Sequence, residues 1–80
     1  MIDDDMNERL VRIFREELRQ PSLQITSRTT QDDVAGWDST AMASIIMSIE
    51  EEFGFELAPN ELRNLRNVGD FQRIIAQHAE

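Results

Sequence analysis

Five apolar residues in the middle of the chain, Met42, Ile45, Ile46, Ile49 and Phe53, recur at i, i+3, i+4, i+7 and i+11. That spacing traces one face of an α-helix and does not fit the alternation of a half-buried strand. The flanks supply the start and the stop. Gly36-Trp37-Asp38-Ser39-Thr40 leads from turn-forming residues into the periodic run, and Asp or Ser at a helix start caps the open N–H groups of the first turn. Gly54 follows the last periodic residue, where a left-handed glycine closes a helix and lets the next residue, Phe55, pack back. The opposite face carries Thr40, Ser44, Met47 and Glu51. The final turn holds Glu50-Glu51-Glu52, three carboxylates set against the negative end of the helix dipole, an arrangement that folding alone disfavours.

The remaining segments read as further helices around the same core. Asp3-Asp4-Asp5 caps and charges the start of a first helix, whose apolar positions run from Met6 to Leu18. Its outer face pairs Asp5 with Arg9, Glu8 with Arg12, and Arg12 with Glu16, so its arginines read as a solvated face. Pro21 ends it. Residues 21–37 form a long connection of a length that is usually functional or pinned by buried anchors; Leu23, Ile25, Val34 and Trp37 are the candidate anchors, with Thr29, Thr30, Asp32 and Asp33 supporting a short helical turn. Trp37 is expected to pack its ring on the core. Pro59 suits the first position of a short third helix that buries Leu62 and Leu65. Asn67 caps a fourth, with Asp70 bonding back as in a capping box and Val68, Phe71, Ile74 and Ile75 facing inward. The predicted fold is all-α: a four-helix bundle of three longer helices and one short one, with a long loop between helices one and two.

Composition removes several function classes. Sixteen acidic residues against eight arginines give a formal charge of -8, with no lysine. Such a chain repels nucleic acid and anionic lipid, and is drawn to partners with basic patches. Cysteine is absent, which excludes disulfides and thiolate metal sites. The single histidine, His78, sits at the end of the last helix, where it reads as an exposed residue complementing the dipole. With no Gly-x-Ser-x-Gly elbow and no oriented base, Ser39 does not read as a hydrolase nucleophile. A calcium loop opening at Asp32 fails because Val34 and Gly36 take its third and fifth positions. Both acidic runs read as solvated charge rather than a metal site. No apolar run approaches the ~20 residues of a membrane span and no signal-peptide pattern is present, so a cytoplasmic monomer is expected.

One polar position remains. Ser39 stands at the mouth of a helix N-terminus, whose unpaired N–H groups and partial positive charge suit a phosphate ester. The segment from Trp37 to Phe53 resembles that of the acyl carrier proteins and related peptidyl carriers, whose Asp-Ser-Leu tripeptide opens a helix closing in a Glu-Glu-Phe-like run. The resemblance covers the chain as one domain, residues 1–80. Met6, Leu10, Ile13, Phe14 and Leu18 match the family's first-helix core, and Asn67-Val68-Gly69-Asp70-Phe71 resembles the opening of its last helix. It implies that Ser39, beside its motif neighbour Asp38, carries a 4′-phosphopantetheine arm whose thiol holds an acyl group as a thioester. The protein itself would then catalyse nothing. It also implies an interior near Ile46, Ile49, Leu65 and Phe71 into which the acyl chain can tuck. The implied partners are a phosphopantetheinyl transferase and acyl-loading, acyl-transfer or condensing enzymes with basic docking patches, which read the stripe Thr40, Ser44, Met47 and Glu51. Met47 and Glu51 keep the family's types, whereas Thr40 replaces its Leu and Ser44 its usual acidic residue. This mixture implies a carrier of a specialised pathway, fatty acid, polyketide or related. Two alternatives stand beside it: an aminoacyl or peptidyl carrier, and an unmodified helical interaction module of the same fold in which Ser39 is only a cap.

Overall fold

The structure, a computed structural model, describes residues 3–79. Among these it contains helices α1 (Asp4–Glu17), α2 (Ser39–Phe53), α3 (Pro59–Arg63) and α4 (Val68–Ala79), and no strand. The predicted all-α bundle of three longer helices and one short one is observed.

Helix α1 starts as its sequence directs, with the Asp3 carboxylate accepting from the Met6 N–H at 2.8 Å. It buries Leu10, Ile13 and Phe14. Its end comes before Pro21: Arg19 adopts a left-handed φ of 54°, and the Gln20 N–H turns back onto the Arg15 carbonyl. In the connection that follows, Val34 and Trp37 are buried while Leu23 and Ile25 pack against the edge of the core. The expected short turn is a 3-10 turn at Gln31–Asp33, closed by the Asp33 carboxylate accepting from the Thr30 N–H. The loop is also tied to α4, through Val68 N–H to the Thr29 carbonyl (2.9 Å) and Gly69 N–H to the Ser27 carbonyl (2.8 Å). These contacts satisfy N–H groups that a helix start otherwise leaves open.

Helix α2 buries Ile45 and Ile49 fully. Met42 and Ile46 lie at the border of the core, as does Phe53, which the periodicity expects to be largely buried. The Arg9 guanidinium covers the Phe53 ring at 4.7 Å, so a cation–π contact closes the face that packing leaves open. The same guanidinium donates to the Glu52 carboxylate at 2.7 Å and to the Glu52 carbonyl at 2.8 Å. Arg12 approaches Glu52 at 3.6 Å. The expected Asp5–Arg9 and Arg12–Glu16 pairs are present at 3.7 and 4.0 Å. The reading of the helix-one arginines as a solvated face is therefore corrected: Arg9 and Arg12 bind α1 to the end of α2.

One further expectation changes. Leu62 is 41% exposed, because α3 has only five residues and the core anchors lie outside it, at Leu57 and Leu65. His78 is exposed in the last turn of α4, as expected, and has partners besides the dipole. Its ring stacks on Phe55 (4.0 Å between centroids, 8° between planes), and its Nε2 lies 2.9 Å from the Glu61 carboxylate. Hydrogen bonds from the Ala58 N–H and from His78 hold the Glu61 carboxyl below its ordinary pKa, outweighing its partial burial.

The start of α4 matches its sequence. The Asp70 N–H donates to Asn67 Oδ1 at 2.9 Å, and the Asn67 N–H donates to Asp70 Oδ2 at 3.1 Å. Asp70, 4% exposed, also accepts from the Arg66 N–H (2.8 Å) and the Arg73 guanidinium (2.9 Å). Val68, Phe71, Ile74 and Ile75 are buried. At the centre of the bundle Phe14 meets Trp37 (5.0 Å) and Phe71 (5.4 Å) edge to face, the arrangement that aromatic quadrupoles favour.

Candidate functional site

The entrance to α2 is built by its neighbours. Gly36 takes φ 84°, a left-handed conformation that a side chain strains. The Trp37 N–H then returns to the Val34 carbonyl. Gln20 reaches across from the end of α1 to donate to the Ala35 carbonyl, and Gln31 donates to the carbonyl of Trp37 at 3.4 Å. The buried Trp37 ring anchors the turn from below, as expected. The first residues of α2 are thereby fixed relative to the core while their side chains stay outside.

Asp38 is the N-cap. Its carboxylate accepts from the Ala41 N–H at 2.8 Å, and its carbonyl accepts from the Met42 N–H at 2.8 Å. Ser39 is the first helical residue and is exposed. The choice between Asp38 and Ser39 as cap is thus decided for Asp38, and the serine hydroxyl is not consumed by capping. Being at the first position, it lies beside the helix-start N–H groups and the positive end of the dipole, which suits an ester phosphate.

Thr40, Ser44, Met47 and Glu51 all lie on α2, at the helical spacing of one face. Thr40, Met47 and Glu51 are exposed and Ser44 is half-exposed. Met47, 61% exposed, is the largest apolar group on this face. It lines a shallow groove with Phe55, whose rim carries Glu50, Glu51 and Glu56. The terminal glutamates separate by role, which their adjacency in sequence conceals. Glu50 accepts from the Leu57 N–H at 2.9 Å and fixes the chain after α2. Glu52 is held by Arg9 and Arg12, and the Arg9 hydrogen bond keeps its carboxyl below its ordinary pKa. Folding does ask for these two; Glu51 alone belongs to the exposed stripe. Ile49, Leu65 and Phe71 line the interior, with Ile46 at its margin. Among the described residues no cluster of three or more His, Asp or Glu side chains has the arrangement of a metal site.

Sequence reasoning missed Arg9, Arg12 and the Phe55–His78–Glu61 contact. Their partners are 17 to 43 residues away, and no local spacing announces such pairs.

A small helical bundle that fixes an exposed serine at a helix entrance, with an acidic face beside it, has the form of a carrier domain. The sequence profile of the family described as "Phosphopantetheine attachment site" matches residues 8–75. The acyl carrier protein of Clostridium perfringens is 31% identical over 75 residues, covering 94% of this chain and 99% of that protein. That of Chlamydia trachomatis is 39% identical over 41 residues, 51% of this chain and 53% of that protein. The solution structure of the holo acyl carrier protein from Geobacter metallireducens superposes with a TM-score of 0.82 at 31% identity, covering 88% of this chain and 80% of that one. The chain belongs to the acyl carrier protein family, whose prosthetic group is phosphopantetheine. The residues present fit that group: an exposed hydroxyl at the first helical position, with the cap supplied by its neighbour. As a carrier domain it works with modifying and biosynthetic enzymes rather than alone.

Proposed function

We propose that Ser39 is the attachment point of 4′-phosphopantetheine and that the chain, as one domain, shuttles acyl intermediates between enzymes of a specialised pathway. The observation that carries this reading is the division of labour at the start of α2, where Asp38 caps the helix and leaves the Ser39 hydroxyl exposed. In the modification, Ser39 Oγ yields its proton to a base on the transferase. It bonds to the pantetheine-side phosphorus of coenzyme A as that phosphorus separates from the adenosine bisphosphate. The bound group supplies a terminal thiol that holds an acyl chain as a thioester. The polypeptide positions and presents it.

The partners we assign are a phosphopantetheinyl transferase and acyl-loading, acyl-transfer or condensing enzymes. Basic patches on them complement Glu51 and Glu56, and an apolar residue meets Met47 and Phe55 in the groove. Thr40 and Ser44, in place of the family's Leu and acidic residue, favour a dedicated set of enzymes. No described helix is long and apolar enough to cross a membrane, and the site of action we infer is cytoplasmic.

The test is intact mass after incubation with a broad-specificity transferase and coenzyme A. Wild type gains one phosphopantetheine and Ser39→Ala gains none. No addition to wild type, or the same addition to S39A, refutes the assignment of Ser39.

A further inference from the structure

The indole Nε1–H of Trp37 is buried without a hydrogen-bond partner among the described residues. The residue is 5% exposed, and its ring is flanked by Phe14 at 5.0 Å and Phe71 at 6.5 Å. Its other polar groups are partnered: the backbone N–H donates to Val34 and the carbonyl accepts from Gln31. The orphan is therefore confined to the side chain. Native interiors rarely leave such a donor unused, because its desolvation is uncompensated. A neighbouring aromatic face recovers only a second-order share of a hydrogen bond. Phenylalanine would fill much of the same apolar space without that cost, so packing alone does not account for an indole.

Position supplies the second half of the argument. Trp37 precedes Ser39 by two residues, a reach of at most about 7 Å along the chain. A single donor within an apolar interior matches a ligand that is apolar along its length and carries an isolated acceptor. We propose that Trp37 Nε1–H donates a hydrogen bond to a carbonyl oxygen of the group tethered at Ser39, holding the arm or its cargo at the entrance to the core. This rests on the Ser39 assignment. The carbonyl belongs either to an amide of the arm or to the acyl thioester. Trp37 is then a positioning residue.

The experiment is nitrogen-15 NMR of the indole resonance in four forms of the full chain: unmodified, holo, acyl-loaded, and loaded with an equally long alkyl chain through a thioether that lacks the carbonyl. Each sample is checked first by intact mass. Absence of the added group removes the Ser39 assignment and this proposal with it. With loading confirmed, an indole proton that moves downfield and loses temperature dependence already in the holo form identifies an arm amide as acceptor. The same change only in the acyl form identifies the thioester. An unchanged resonance in every form, or equal changes in acyl and thioether forms with none in holo, overturns the proposal. Trp37→Phe provides an independent readout, since it keeps a ring in the core and removes the donor. Loading should raise its Tm less than it raises that of wild type. An equal rise in both counts against the hydrogen bond.

Discussion

Gly69→Ala separates helix propensity from tertiary geometry, because the two predict opposite signs. Gly69 is the second residue of α4, and at a helix position without close neighbours alanine is better than glycine by up to about 1 kcal/mol. Here a Cβ would lie 2.8 Å from the Ser27 carbonyl oxygen, 3.2 Å from Asn67 Oδ1 and 3.3 Å from the Ser27 Cβ. The nearest of these is backbone, and it is the acceptor of the Gly69 N–H itself. Making room displaces the loop segment that also supplies the Thr29 carbonyl to Val68. Two backbone hydrogen bonds at about 0.5–1.5 kcal/mol each outweigh the propensity gain. The expected net loss is about 1–2 kcal/mol, or roughly 4–16 °C in Tm for a domain of this size. Urea denaturation should show a lower midpoint at unchanged slope, and amide exchange should quicken at Val68 and Gly69. Phosphopantetheine transfer to Ser39 should still reach completion, since Trp37 anchors that end of the loop independently. A Tm equal to or above that of wild type would refute the argument that the close approach of Ser27 pins the loop to α4.

Ile49→Ala should cost about 3–4 kcal/mol in chemical denaturation, whereas Phe53→Ala should cost about 2 kcal/mol because Phe53 is only half-buried, and Met47→Ala should stay within about 0.5 kcal/mol. Burial raises the Asp70 pKa, but hydrogen bonds from Arg66, Arg73 and Asn67 outweigh it and leave the carboxyl below its ordinary value. The unfolded state then binds the proton more readily, so the Asp70 contribution is complete above about pH 4 and falls away as pH drops through the lower folded pKa. Asp70→Asn should be less stable than wild type at pH 7 and lose less stability between pH 5 and 2, as thermal unfolding across that range will show. Glu52→Gln should lower Tm by removing the negative charge that pairs with Arg9 and Arg12, with Glu51→Gln leaving Tm unchanged. Transferase rates should show the reverse order. E51Q slows modification more than Glu16→Gln does, and the difference shrinks as salt shortens the Debye length from about 10 Å to about 3 Å.

The helices, and the placement of Ser39 at a helix entrance, were legible in the sequence because both are local. A stripe at i, i+3, i+4 and i+7, an Asp before it and a Gly after it specify α2 through contacts within a few residues. The Asn67–Asp70 capping box is equally local, which is why its geometry agrees with its spacing. The sequence also placed Ser39 at a helix entrance and Thr40, Ser44, Met47 and Glu51 on one stripe. Tertiary structure decided which of several chemically equivalent side chains does what. Glu50, Glu51 and Glu52 look alike in sequence, and only the approach of Leu57 on one side and of Arg9 and Arg12 on the other makes two of them structural. Phe53 and Leu62 carry the same inward signal as Ile49 and Leu65, but the short α3 and the covering Arg9 leave them at the surface or near it. The unpartnered indole of Trp37 was likewise invisible, since a tryptophan expected in the core says nothing of whether its N–H finds an acceptor there. Helical periodicity reports which face turns inward; what meets that face depends on segments tens of residues away, whose approach no local spacing encodes.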